Sequence, residues 1–77
     1  MTGRPVKHSL TIRGHRTSVS LETPFWDEFR RLAEAEGKTL NALATEIDAG
    51  RGVEAGLASA IRVHVLEHLR ARLDQLS

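Results

Sequence analysis

Leu10 and Ile12, then Thr17, Val19 and Leu21, alternate with Ser9, Thr11, Arg13, Arg16, Ser18 and Ser20. A period of two with β-branched residues predicts strand. Gly14-His15 lies between the two runs, and glycine first in a two-residue loop is a type II′ hairpin signal. In that register Arg13 faces Arg16, Ile12 faces Thr17, Thr11 faces Ser18 and Leu10 faces Val19. The apolar side chains then share one face and the polar set shares the other. An alternative keeps only Thr17–Leu21 as a strand and leaves Lys7–Arg13 as an arm. A lone hairpin does not hold in water, so either version needs a partner strand. Residues 1–6, with Gly3 and Pro5, read as a flexible basic arm, and 7–77 as one domain.

The period then changes to that of a helix. Thr23 is a good N-cap, Pro24 suits the first helical position, and Asp27 and Glu28 favour the positive end of the dipole. Phe25, Phe29, Leu32 and Ala33 form one stripe, with Trp26 at its edge, and Gly37 ends the helix. Thr39 caps a second helix through Asp48, whose apolar face is Leu40, Leu43, Ala44 and Ile47. Residues 48–52 read as a loop that continues to Gly56. A last helix covers 57–76, with Ile61, Val65, Leu66, Leu69, Leu73 and Leu76 as its stripe and Val63 well off it. A helix apolar on more than one side is expected to be buried, here across a dimer seam.

Size sharpens that expectation. A chain of 77 residues is one domain of marginal stability. Having no cysteine, it lacks disulfides, thiolate metal sites and Cys nucleophiles, so self-association is the expected stabiliser. No apolar run reaches a membrane span or a signal-peptide core, which makes the cytoplasm the expected compartment. The net charge of +1 is uneven. Residues 1–20 hold Arg4, Lys7, Arg13 and Arg16 and no acid, a charge of +4, against −3 for the remainder. A basic segment on a slightly acidic body points to a polyanionic partner.

Catalytic motifs are absent from the sequence: it has no phosphate-binding glycine loop with Lys-Ser/Thr and no Gly-x-Ser-x-Gly. Ser18 or Ser20 as a nucleophile would need an oriented base, and no carboxylate occurs in residues 1–20 to orient His15. His64 and His68 share a helix face at a spacing that can hold a metal, but they are two ligands with no third nearby in sequence. No cofactor and no metal are expected. The polar hairpin face suits the major groove of DNA, which admits a β-ribbon. There Arg16 can read guanine, and the hydroxyls of Ser18 and Ser20 can read several base edges.

The segment RTSVSLETPFWDEFRRLAEAEGKTLNAL (16–43) resembles the ribbon-helix-helix DNA-binding family. It has a short alternating strand, a polar turn (Glu22-Thr23-Pro24), an amphipathic helix ending in Gly37, and a hydroxyl residue, Thr39, opening the next helix. GLASAIRVHVLEHL (56–69) also looks like that family's second helix, and the chain from Lys7 to Leu69 is similar to small stand-alone bacterial members. The resemblance implies a mainly α fold with a short β-ribbon: an intertwined ribbon-helix-helix homodimer, here with an extra N-terminal strand and a third helix. It implies base reading by Arg16, Ser18 and Ser20. The second helix's N-terminus would bind phosphate through Thr39, Leu40 and Asn41, or through Ser59 if the later helix is the true second one. The distance from the strand favours Thr39. Lys7 and Arg13 are further phosphate candidates. The dimer core would comprise Thr17, Val19, Leu21, Phe25, Phe29, Leu32, Ile61 and Val65.

The function so implied is a sequence-specific DNA-binding transcriptional regulator, a homodimeric repressor without enzymatic activity, nucleoid-associated when bound. Two rivals stand beside it. One is an antitoxin-like module that also binds a protein through its C-terminal helix. The other is a dimeric protein-interaction adaptor that does not bind DNA.

Overall fold

The computed structural model of the protein describes residues 3–50 and 56–76. Two antiparallel strands, β1 (Pro5–Ile12) and β2 (His15–Glu22), are followed by α1 (Thr23–Ala35), α2 (Leu40–Gly50) and α3 (Leu57–Leu76). The alternation therefore does give a hairpin, and the partner strand of β2 within the chain is β1. β1 begins two residues before Lys7, at Pro5, and Met1 and Thr2 of the expected arm lie outside the described residues.

The hairpin register corrects the sequence reading. Ile12 faces His15, Leu10 faces Thr17, His8 faces Val19 and Val6 faces Leu21. The loop is Arg13-Gly14, one residue earlier than expected, with φ of 53° and 80°. Positive φ at both central residues is the type I′ signature, whose twist matches the flanking strands. The shift moves every cross-strand neighbour by two residues and so leaves the faces unchanged. Leu10, Ile12, Val19 and Leu21 are buried, and Ser9, Thr11, Arg16, Ser18 and Ser20 are exposed.

β2 runs into α1 without a linker. The N-cap is Glu22, not Thr23, and no side chain caps the helix; Pro24 stands in its first turn as expected. Asp27 and Glu28 lie beyond that turn, where the dipole acts weakly. Phe29 and Ala33 reach the core, with Phe25, Trp26 and Leu32 packed part-buried against it. The far end closes as a Schellman motif. The Gly37 N–H donates to Glu34 O (3.1 Å) and the Lys38 N–H to Ala33 O (2.9 Å), with Gly37 at φ 69°.

The Thr39 hydroxyl accepts the Ala42 N–H at 3.0 Å, the expected cap of α2. α2 extends to Gly50, past the expected end at Asp48, and the rest of the expected loop, 51–55, lies outside the described residues. Leu43, Ala44 and Ile47 complete the layer under β1, and Ile61 and Val65 of α3 close the core under β2 and α1. Beyond Val65 the stripe of α3 is not buried within the chain. Leu66 is 53% exposed, and Leu69, Leu73 and Leu76 are exposed as well.

One ion pair ties β2 to α3. Arg62 donates to Glu22 Oε1 at 2.9 Å and lies 5.8 Å from the Phe25 ring centroid. The Glu22 carboxyl is held below the usual 4.5 by its own backbone N–H and then by Arg62. A carboxyl lowered by folding stabilises above its unfolded pKa and loses that contribution as pH falls through the folded value. The stability advantage of the parent over Glu22→Gln should be present at pH 7 and be lost as pH falls through the lowered folded pKa, below the usual 4.5, in urea titrations across pH. Arg13 occupies left-handed backbone that Asn tolerates better. Arg13→Asn should therefore raise the denaturation midpoint, by a gain of about 0.5–1 kcal/mol.

Candidate nucleic-acid interface

The outward face of the hairpin is built from alternate residues of both strands. Lys7 sits opposite Ser20, Ser9 opposite Ser18 and Thr11 opposite Arg16, with Arg13 at the turn. All of them are exposed. These residues are cationic at both ends and hydroxylic in the middle, and the next outward position of β2 is a carboxylate, Glu22, paired with Arg62. The register brings Lys7 beside Ser20 and sets Arg13 in the turn, so that Arg16 faces Thr11 and not Arg13 as the pattern predicts.

Two side chains from the helices hold the ribbon by its edges. On the β1 edge, Asn41 Oδ1 accepts the Thr11 N–H at 2.9 Å. This bond sets the N-terminus of α2, with Thr39 and Leu40, alongside the ribbon. On the β2 edge, Arg62 reaches the Ser20 carbonyl at 3.4 Å in addition to Glu22. A row of open N–H and C=O groups invites pairing with another chain, and such ties reduce that exposure. His8 faces inward and stacks on Trp26, with ring centroids 3.8 Å apart and planes 3° apart. Trp26 is therefore the rim of the ribbon–helix packing.

The phosphate candidates stand in different states. Thr39 spends its hydroxyl on the α2 cap and Asn41 spends its carbonyl on the ribbon edge. Leu40 packs part-buried against the core. What α2 offers an anion is the backbone at its first turn rather than these side chains. Ser59 is exposed on the first turn of α3. Of the residues assigned to a dimer core, Val19, Leu21, Phe29, Ile61 and Val65 are buried within one chain, and Thr17, Phe25 and Leu32 are half-buried.

The structure also gathers a group that sequence spacing did not reveal. Glu36, at the end of α1, comes to His64 and His68 on α3. Burial pushes the His64 imidazole below its usual 6.5, and the neighbouring His68 adds to this. Lys38 holds the Glu36 carboxyl below its usual value, and in turn Glu36 and Glu46 raise the Lys38 amine. A residue 28 positions from His64 in sequence leaves no local signal of this proximity.

Among the described residues no helix is long and apolar enough to cross a membrane. Searches of curated proteins and of solved structures return no match. A family model described as the ribbon-helix-helix domain matches residues 5–69, from the first residue of β1 to two turns short of the end of α3. The strand-then-helices order, the polar ribbon and that match agree: the chain belongs to the ribbon-helix-helix domain family, whose members are typically dimeric DNA-binding regulators rather than enzymes.

Proposed function

We propose that the protein is a cytoplasmic, sequence-specific DNA-binding regulator that inserts its β1–β2 hairpin into the major groove and acts as a homodimer. The observation carrying this reading is the outward face of the ribbon, where Arg16, Ser18 and Ser20 are exposed on alternate β2 residues and the one carboxylate at that parity, Glu22 at the strand's end, is paired with Arg62. Arg16 is the guanine reader, and Ser18 and Ser20 hydrogen-bond to neighbouring base edges. Lys7, Arg13 and the α2 backbone at Leu40 and Asn41 take flanking phosphates. Repression follows if such binding overlaps a promoter.

The hairpin supports a modified form of the family's ribbon. Two strands about 4.8 Å apart fit a groove about 12 Å wide. Pairing β2 with a second β2 would give four strands, spanning about 14 Å between their outer axes before side chains are added. The hairpin of one chain is therefore the reading ribbon in this proposal, and each subunit brings its own. Dimerisation falls to α3, whose Leu66, Leu69, Leu73 and Leu76 recur at heptad-like three- and four-residue steps and are exposed in the single chain.

Arg16→Ala should cost about 1–3 kcal/mol at a selected site and relax preference at one base position. Lys7→Ala should weaken all sequences alike and flatten the salt slope by about one unit. Mobility shifts across a salt series on DNA selected from random sequence read both. Absence of binding to any DNA at low salt would favour the adaptor role. Leu66→Glu should convert the dimer to a folded monomer in sedimentation, whereas Ser18→Cys should form no interchain disulfide. Efficient Ser18→Cys cross-linking would instead show that β2 pairs with its counterpart across a two-fold axis.

A further inference from the structure

The junction of α1 and α3 holds three metal-ligating side chains in one place. Glu36, His64 and His68 each offer a ligand atom, and these atoms lie within 4.8 Å of one another. Glu36 is the C-cap residue of α1, fixed by the Schellman turn at Gly37. His64 and His68 sit four residues apart on α3, with ring centroids 4.5 Å apart. Val65, between them, is the last core residue of α3, so the cluster sits where the helix leaves the body of the domain.

His68 and Glu36 already have the outer contacts that ligands need for orientation. His68 Nδ1 lies 3.3 Å from the His64 carbonyl, to which an Nδ1–H donates. In that tautomer Nε2 carries the lone pair, and it stands 3.4 Å from Glu36 Oε2. Two acceptors then face each other, an arrangement relieved by a proton or by a cation between them. Donors about 2.1 Å from a tetrahedral ion sit about 3.4 Å from one another. The second oxygen, Glu36 Oε1, is held by Lys38 at 2.8 Å, and Lys38 is shared with Glu46 at 2.9 Å. Carbonyl and charged partners of this kind orient metal-bound histidine and carboxylate groups. The His64 Nε2 atom is buried and has no hydrogen-bond partner among the described residues.

We propose that Glu36 Oε2 and one ring nitrogen each of His64 and His68 bind a divalent transition cation of the zinc class. The imidazole–carboxylate donor set suits Zn²⁺, Co²⁺ or Ni²⁺ rather than a hard cation such as Mg²⁺. Three protein ligands leave a coordination position for water or for a group from another molecule. Bound there, the ion links the end of α1 to the middle of α3 and fixes the direction in which the exposed leucines project. The site stands independently of the DNA reading, because no ribbon residue takes part in it.

The test uses the untagged full chain at neutral pH, with ZnCl₂ in calorimetry and CoCl₂ in absorption spectroscopy. One ion per chain is expected, with an intense cobalt visible band characteristic of low coordination. His64→Ala and His68→Ala should each weaken binding at least about tenfold, Glu36→Gln should also weaken it, and His15→Ala should leave it unchanged. Side-chain nitrogen spectra of the parent make the test independent of variant folding: zinc should shift the His64 and His68 ring nitrogens and leave those of His8 and His15 in place. Lack of zinc binding at about 100 µM, or equal binding by a folded His64→Ala/His68→Ala double variant, would overturn the site. So would zinc shifts at His8 or His15 in place of the pair.

Discussion

The dry face of the hairpin is made by Leu10, Ile12, Val19 and Leu21, and its burial organises the rest of the chain. An isolated pair of strands is not stable in water. Three helices from the same chain therefore cover one face, contributing Phe29 and Ala33, then Leu43, Ala44 and Ile47, then Ile61 and Val65. With one face committed to the core, the opposite face must point outward, because successive strand residues alternate sides. The exposed row of Arg16, Ser18 and Ser20 is thus a geometric consequence of burying Val19 and Leu21.

Polar bonds at the margins refine what the apolar contacts establish. Asn41 and Arg62 grip the two edges of the ribbon, one through a backbone N–H and the other through a carbonyl. Such bonds contribute modestly to stability but are directional. They set the angle at which α2 and α3 lie against the strands. Asn41 belongs to the first turn of α2, so the same bond that closes the β1 edge also positions the N-terminus of that helix.

Local periodicity made much of this legible. The alternation from Ser9 to Leu21 revealed the strands and both of their faces, and the stripe at Phe25, Phe29 and Ala33 revealed α1. Gly37 and Thr39 marked the break between helices through backbone chemistry that needs few neighbours. Register was not legible in the same way. Alternation fixes which face a residue takes, whereas the partner across the ribbon depends on which two residues turn, and Arg13 entered left-handed backbone that its side chain does not advertise. The apolar spacing of α3 marked a stripe without saying whose surface covers it, and its end, at Leu66, Leu69, Leu73 and Leu76, is exposed in the single chain. Glu36 meets His64 and His68 only through the packing of α1 on α3, a long-range event without a sequence motif.

The absence of any linker between β2 and α1 makes the junction intolerant of changes in length. Glu22 ends the strand and Thr23 begins the helix. One residue added between them would advance α1 by about 100° about its axis, since a helix turns once in 3.6 residues. Phe29 and Ala33 would swing off the core while Leu21 stayed fixed beneath the ribbon. Insertions and deletions among related chains should therefore avoid residues 22 and 23. Strand and first helix form one rigid piece, whose relative orientation cannot be adjusted by lengthening the connection.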